Sequence, residues 1–380
     1  MTQNGRVRQV GHIACVVGAR PNLIKIAALM TAFRGRPSFA ARLIHTGQHF
    51  SPEMSEIFFD DLELPRPDLN LGVGGGTATE QTAEAMRRLE RVFLEERPDL
   101  VVVVGDVNST LAAALAASRM GIPVAHVEAG LRSFDRRMPE EINRILTDAL
   151  SDFLFVTEPS GVSNLLAEGV PREKIHFTGN VMIDTLLRFR GKAARSGILS
   201  ELGLSRGSYA VVTLHRPSNV DDPERLTDLF RILGELAGQL PVVFPVHPRT
   251  RARMDAVKLS APGIMLTPPL GYLDFMCLMS QARMVLTDSG GIQEETTILG
   301  VPCLTLRENT ERPVTIDQGT NRLVGTDPAT ILSAALAALR ADARPSRVPD
   351  LWDGEASLRI MKILERALVG SGTPELAVAK

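Results

Sequence analysis

Residues 101–148 read VVVVGDVNSTLAAALAASRMGIPVAHVEAGLRSFDRRMPEEINRILTD. Two short apolar runs in this stretch each end in a carboxylate. Val101-Val102-Val103-Val104-Gly105 leads into Asp106, and Ile122-Pro123-Val124-Ala125-His126-Val127 leads into Glu128. A helix-forming segment, Ser109 to Met120, lies between them. The runs carry too few polar residues for a sheet with one wet face, so both faces are expected to be covered. A right-handed crossover makes such strands parallel and brings their carboxyl ends to one edge. Open α/β sheets bind ligands at that edge. Two acids there, followed by Glu140-Glu141 at the start of the next helix, suggest proton chemistry rather than packing.

The alternation extends in both directions. Ile13–Val17 reads as a strand, Gly18-Ala19-Arg20 as a tight loop, and Asn22–Phe33 as a helix entered through Pro21. Ala41–Thr46 reads as a strand, 72–76 as a loop, 77–96 and Pro139–Leu150 as helices, and Phe153–Thr157 as a strand. Arg188–Arg206, rich in Arg, Gly and Ser, is the candidate linker. A second series then begins. It has strands at Ala210–Leu214, Val242–Val246, Met284–Thr287, Val301–Leu306 and Arg322–Val324, and helices at Pro223–Gln239, Gly291–Leu299 and Pro328–Ala341. A last amphipathic segment covers Ser357–Leu368. The expected fold is α/β: two doubly wound Rossmann-like domains in tandem, 1–187 and 188–355, with a cleft between them.

Composition bounds the partners. At 380 residues the chain can bury large cores, and a formal net charge of −2 argues against general nucleic-acid binding and electrostatic membrane anchoring. Cys15, Cys277 and Cys303 lie far apart, without metal or disulfide spacing, which fits a reducing compartment. Ile13 to Ala19 is too short for a signal sequence or a membrane span, so a cytoplasmic protein is expected. No His/Cys cluster suggests a metal, and no GxGxxG suggests a nicotinamide cofactor.

Three turns have the makings of anion sites. Gly18-Ala19-Arg20-Pro21-Asn22-Leu23-Ile24-Lys25 puts Arg20 and Lys25 at a helix N-terminus; the bland alternative is a plain turn with solvated cations. Asp288-Ser289-Gly290-Gly291-Ile292-Gln293-Glu294-Glu295 is sharper. Its glycines admit a phosphate close to backbone N–H groups, and Glu295, a turn further on, could accept from sugar hydroxyls. The alternative is that Ser289 merely caps the helix. Arg307-Glu308-Asn309-Thr310-Glu311-Arg312-Pro313 is a charged loop after an apolar strand; facing the glycine turn, Arg312 and Thr310 would lie near a nucleotide. His215, at the end of a strand, suits a phosphate donor or an acid near neutral pH. His126, inside an apolar strand, reads as a satisfied core residue, and His247 as either a cleft residue or a loop cap.

Taken in order, GARPNLIKIAAL, HTGQHF, GDVNSTLAAALAA, HVEAGLRS, MPEEINRILTD, the His215-Arg216 pair, DSGGIQEE, LGVPCLTLRENTERP and GTNRLVG resemble the non-hydrolysing UDP-N-acetylglucosamine 2-epimerases over roughly residues 13–325. The resemblance implies a glycosyltransferase-B architecture. It implies UDP binding by Arg20, Lys25, Ser289, Gly290, Gly291, Glu295 and Arg312, with Arg132 near the diphosphate. It makes Asp106, Glu128, Glu140 and His215 the catalytic set, and Gln48 and His49 a possible allosteric pair. It also implies a UDP-sugar substrate, no cofactor, a final helix crossing back onto the first domain, a homodimer, and a place in making glycan precursors. The sequence departs from the common family pattern at Asn22, where glutamate is usual, at Pro217-Ser218-Asn219, and after His49. The last departure puts allosteric activation in doubt and suggests a modified sugar.

The chemistry agrees with the resemblance. No carbonyl acidifies C2 of such a sugar, so an enolate route is closed. Elimination is open if UDP leaves C1 as a carboxylate takes the C2 proton. Re-addition after protonation on the other face completes the epimerisation, provided water is excluded. Asp106 is the favoured base, with Glu128 and Glu140 tuning it or serving the opposite face, and His215 would stabilise the leaving diphosphate. A sugar transferase, an epimerase that hydrolyses the glycal to free N-acetylmannosamine, and a silent UDP-sugar sensor are the competing readings.

Overall fold

The computed structural model describes residues 11–48, 52–259, 262–340 and 346–368. They fall into two compact units. The first comprises the chain up to Leu131, Asp135–Thr185 and the chain from Leu351; the second comprises Arg132–Phe134 and Leu186–Asp350.

Unit 1 alternates strands and helices: β1 (Gly11–Val17), α1 (Arg20–Arg34), β2 (Phe39–His45), α2 (Pro52–Asp61), β3 (Leu69–Asn70), α3 (Ala78–Glu95), β4 (Leu100–Val104), α4 (Asn108–Arg119), β5 (Val124–Ala129), α5 (Pro139–Leu150), β6 (Phe153–Val156), α6 (Pro159–Ala167), β7 (Ile175–Phe177) and α7 (Val181–Ala193), whose residues from Leu186 onward belong to unit 2. The sheet is parallel in the order β3-β2-β1-β4-β5-β6-β7, so the direction of winding reverses between β1 and β4. The turns after β1 and β4 open away from each other there, which makes that edge the expected ligand site. All five residues of β4 are buried, as its unbroken valine run requires of a central parallel strand. Helix α4 presents Ala112, Ala113, Ala114, Ala116 and Ala117 to the core, and these small residues let it pack closely against both α3 and α5.

Unit 2 repeats the plan: α8 (Ile198–Glu201), β8 (Ala210–Thr213), α9 (Pro217–Val220), α10 (Pro223–Ala237), β9 (Val242–Pro245), α11 (Pro248–Ala256), β10 (Ile264–Thr267), α12 (Tyr272–Ser280), β11 (Met284–Thr287), α13 (Gly290–Leu299), β12 (Cys303–Thr305), α14 (Val314–Asp317), β13 (Asn321–Leu323) and α15 (Pro328–Arg340). Its parallel order is β10-β9-β8-β11-β12-β13, with the switch between β8 and β11. The chain then returns to unit 1 as α16 (Ala356–Leu368), which packs against α1. Asp184 of α7 takes the first N–H groups of α16, from Ala356 (3.1 Å) and Ser357 (2.7 Å), and Trp352 donates its indole N–H to the Thr157 carbonyl at 2.9 Å.

The two doubly wound α/β sheets match the expectation from sequence. The stretch Arg188–Arg206 does not behave as a simple linker. Helix α7 continues to Ala193 and α8 follows at Ile198, because the apolar residues Leu186, Phe189 and Ala193 recur at helical spacing and are buried. The three cysteines are free and buried. Among the described residues no helix is long and apolar enough to cross a membrane, and no group of three or more His, Cys, Asp or Glu could hold a metal ion.

Candidate active site

In unit 1 the carboxyl edge of β1, β4 and β5 holds Asp106 and Glu128 of the predicted acids, and Lys25 of the predicted cations. Asn22, in the first turn of α1, ties the edge together. Its Oδ1 accepts from the N–H groups of Gly18 and Ala19 at 3.1 Å each, and its Nδ2 donates to the Val104 carbonyl at 2.9 Å. A carboxylate at this position could accept as Asn22 does but could not donate to Val104. Lys25, a turn further along α1, turns inward and sits 2.7 Å from Glu128 Oε1, with both side chains buried. Gly105 makes room for it: a Cβ there would lie 2.8 Å from Lys25 Nζ, and the backbone has φ +66°. Arg20 stands at the start of α1, its guanidinium 6.0 Å from the Phe58 ring.

Glu128 is in β5 rather than after it. It has φ +78°, and the pairing of β5 with β6 shifts register between Val127 and Ala129. This bulge breaks the in–out alternation of side chains and costs about 1–2 kcal/mol of backbone strain. No residue type announces it in the sequence.

Asp106 follows β4. The guanidinium of Arg144 bridges it to a second acid, giving one N–H to Asp106 Oδ2 at 2.5 Å and another to Glu141 Oε2 at 2.6 Å. Asn143 donates to the Asp106 carbonyl at 2.9 Å and to Asn108 Oδ1 at 3.2 Å. The Asp106 side chain is 22% exposed, whereas that of Glu128 is 2% exposed, so Asp106 is the more accessible of the two. Glu140, in the first turn of α5, is half-buried and forms no ion pair among the described residues. Asn143 and Arg144 were missed in the sequence. The signal was their place one turn after Glu140-Glu141, on the same helix face. His126 is the core residue expected, lying between Asp148 Oδ1 (2.6 Å) and the Gly105 carbonyl (2.8 Å). Arg132 is buried in the segment after β5.

Gln48 has a structural task. Its Oε1 accepts from the N–H (3.1 Å) and hydroxyl (2.8 Å) of Ser109, in the first turn of α4, where Val107 provides no side-chain cap. His49 lies outside the described residues.

In unit 2 the same edge holds an anion-ready turn. Ser289 precedes α13, but its side chain makes no capping bond, so the simple capping reading does not hold and the first N–H groups of α13 remain for a ligand. Gly290 is required by what lies beside it: a Cβ would fall 2.4 Å from Arg312 Nη1 and 2.7 Å from Glu311 Oε1. Arg312 is buried and doubly paired, with Glu294 Oε1 at 3.0 Å from its Nε and Glu311 bonded to its Nη1. It therefore shapes the turn rather than reaching out as a solvated cation. Gly291 follows in the same turn. Glu295 is buried and accepts from the Tyr272 hydroxyl at 3.0 Å; burial pushes its carboxyl up to about 7, although the Tyr272 hydrogen bond opposes this. Thr310 donates to Gln293 Oε1 at 2.7 Å and so braces the helix.

His215 follows β8 and Asp288 follows β11, across the switch point. His215 Nδ1 is 2.9 Å from Asp288 Oδ1. Asp288 also accepts from the N–H groups of His215 and Arg216 and from Asn219 Nδ2. Burial works against its charge, but His215 and these donors outweigh it and hold the carboxyl at about 2. The partnership was missed in the sequence because its two members are far apart in the chain. His247 caps α11, accepting at Nδ1 from Arg249 N (3.2 Å), and its ring centroid lies 5.6 Å from that of His215.

Taken unit by unit, these features define a doubly wound α/β protein with an acid-lined sheet edge and an uncapped helix start built for an anion. The family model of UDP-N-acetylglucosamine 2-epimerase matches residues 31–365, and the chain belongs to that family. It is 42% identical over 362 residues to the UDP-N-acetylglucosamine 2-epimerase of Methanocaldococcus jannaschii, covering 93% of this chain and 98% of that protein. It is 44% identical over 331 residues to the UDP-2,3-diacetamido-2,3-dideoxy-D-glucuronate 2-epimerase of Pseudomonas aeruginosa, covering 86% and 92%. The crystal structure of the M. jannaschii enzyme in complex with UDP-GlcNAc and UDP superposes with a TM-score of 0.88 at 41% identity, covering 93% of this chain and 99% of that one.

Proposed function

We propose that this chain inverts C2 of UDP-N-acetylglucosamine to give UDP-N-acetylmannosamine, by elimination and re-addition of UDP. The observation that carries the reading is the Arg144 fork on Asp106 and Glu141, which holds Asp106 oriented against α5, the helix that also carries Glu140, whose carboxylate forms no ion pair among the described residues. A carboxylate takes the C2 proton while the C1–O bond breaks, giving 2-acetamidoglucal and UDP. Protonation of C2 on the other face, with UDP returning to C1, completes the inversion. Asp106 is accessible enough to be the base, Glu140 fits the opposite-face role, and buried Glu128 supports them through Lys25. The N–H groups opening α13, with Ser289, Gly290 and Gly291, receive the diphosphate, which His215 also contacts; Glu295 meets the ribose. The same reading carries a homodimer working in the cytoplasm, and sedimentation equilibrium tests the former.

A second reading takes a modified sugar, and the similarity to the P. aeruginosa enzyme favours it. One experiment covers both: each UDP-sugar incubated with the protein in D2O and followed by proton NMR. Formation of the 2-epimer with deuterium at C2 supports elimination and names the substrate. Free N-acetylmannosamine would replace this reading with a hydrolysing one, and no exchange with either sugar would overturn it.

A further inference from the structure

We infer that Asp288 is the positioning residue for His215, fixing the ring proton on Nδ1 so that Nε2 faces the departing diphosphate. The inference rests on the proposed function only for what Nε2 meets; the tautomer itself follows from the hydrogen bonds.

The carboxylate of Asp288 is fully buried at the end of β11, and its two oxygens are unequally loaded. Oδ2 accepts from Arg216 N (2.9 Å), His215 N (3.1 Å) and Asn219 Nδ2 (3.1 Å). Oδ1 faces His215 Nδ1 at 2.9 Å, with His215 N at 3.2 Å. An ionised carboxylate can only accept, so Nδ1 carries the proton. The side chain of His215 is 40% exposed while the Nδ1 edge lies on a buried group, which leaves Nε2 as the outward atom. Among the described residues, charged or titratable groups near the ring include Arg216, the next residue; Glu311, 3.9 Å from Arg216 Nη2; and His247, whose ring centroid is 5.6 Å away and whose Nδ1 accepts from Arg249 N. A protonated His215 therefore has Asp288 as a fixed counter-charge and can give its Nε2 proton to a phosphate oxygen.

The unequal loading dictates what Asp288→Asn would do. Three donors converge on the Oδ2 position, so the amide oxygen must sit there. The NH2 group then takes the Oδ1 position and donates toward Nδ1, which can no longer carry a proton. The ring proton moves to Nε2, and an imidazolium there would set N–H against N–H. Amide replacement of the orienting aspartate in serine proteases has this consequence, with a loss of about 10⁴ in kcat.

The test uses the full-length protein labelled with 15N-histidine, with His215→Asn identifying the signals of His215. The expected wild-type spectrum shows the neutral ring protonated at Nδ1, and the Asp288→Asn spectrum shows it protonated at Nε2. The kcat of Asp288→Asn should fall by about 10²–10⁴, with the Kd for UDP, measured by calorimetry, changed by no more than a few-fold. A wild-type ring protonated at Nε2 would overturn the inference, whether or not the variant folds. So would an Asp288→Asn protein that loses UDP affinity and kcat together, the mark of a collapsed turn. Tautomer and UDP affinity are both read without turnover. An inactive protein with the Nδ1–H ring and normal UDP binding would therefore sink the epimerase reading and leave the pairing intact.

Discussion

Lys25 Nζ lies 2.7 Å from Glu128 Oε1, and both side chains are almost wholly out of water. The cation that the sequence offered to a phosphate is thus engaged by a carboxylate, and one of the three acids is engaged by it in turn. Removing one member of a buried pair leaves an uncompensated charge, which costs about 3–5 kcal/mol, whereas removing both can be close to neutral. Lys25→Met should therefore lower the stability of the protein sharply, and Glu128→Gln introduced beside it should restore most of the loss. Urea melts of both single variants and the double variant measure this; a Lys25→Met protein that unfolds like the wild type would show that the pair carries no such weight.

Gly290 owes its identity to Arg312. A methyl group there would lie inside contact distance of Arg312 Nη1 and of Glu311 Oε1, two members of a buried ion-pair set. Gly290→Ala must push the guanidinium aside and disturb the N–H groups that open α13. The expected outcome is a UDP affinity at least about 10-fold weaker, of the order of one lost charge-assisted hydrogen bond. Calorimetric titration with UDP reads it directly, and an unchanged Kd would separate the ion-pair set from the nucleotide turn.

Much of this was legible in advance, and the limits have physical reasons. The runs Val101–Val104 and Met284–Thr287 declared themselves because buried parallel strands need no polar alternation, and the crossover rule then put Asp106, Glu128 and Ser289 at carboxyl edges. The short elements β10 and α12 went unread, since four residues of strand carry little period and the apolar run Phe275–Met279 reads equally as either type. What could not be read were pairings. Neither the reach of Arg144 across to Asp106 nor the Asp288 clamp on His215 leaves a mark in local sequence, because each joins residues from different crossovers. Nor does the left-handed backbone of Glu128, which tertiary packing imposes against the residue's own preference.

The return of the chain to unit 1 depends on a cap from another helix. Asp184 accepts from the N–H groups of both Ala356 and Ser357, doing for α16 what a residue of α16's own N-terminus would ordinarily do. Burial raises the Asp184 carboxyl above its usual range, against the pull of these hydrogen bonds. Asp184→Ala should cost about 1–2 kcal/mol, as lost caps do. Hydrogen exchange should show the loss as faster opening of the first turn of α16. Uniformly faster exchange through unit 1, with α16 no more affected than β4, would argue against a cap.

Glu295 gives the stability a pH dependence whose sign can be worked out. Burial raises its carboxyl from the ordinary 4.5 to about 7, so the folded protein holds this proton more tightly than the unfolded chain does. Between those values folding takes up a proton, and stability falls as pH rises. Below the unfolded value the carboxyl is neutral in both states and no penalty exists. Above about 7 the charge is present in both states, and the full cost applies. A gap of this size corresponds to about 3 kcal/mol, an upper figure, since water entering the site on ionisation would reduce it. Glu295→Gln keeps an oxygen for the Tyr272 hydroxyl and removes the charge. Its melting temperature should match the wild type at pH 4.5 and exceed it by several degrees at pH 8, while its affinity for UDP falls if Glu295 meets the ribose. Melts at the two pH values decide the matter: equal differences at both would mean that Glu295 is ionised throughout, and that its buried setting is compensated by something other than Tyr272.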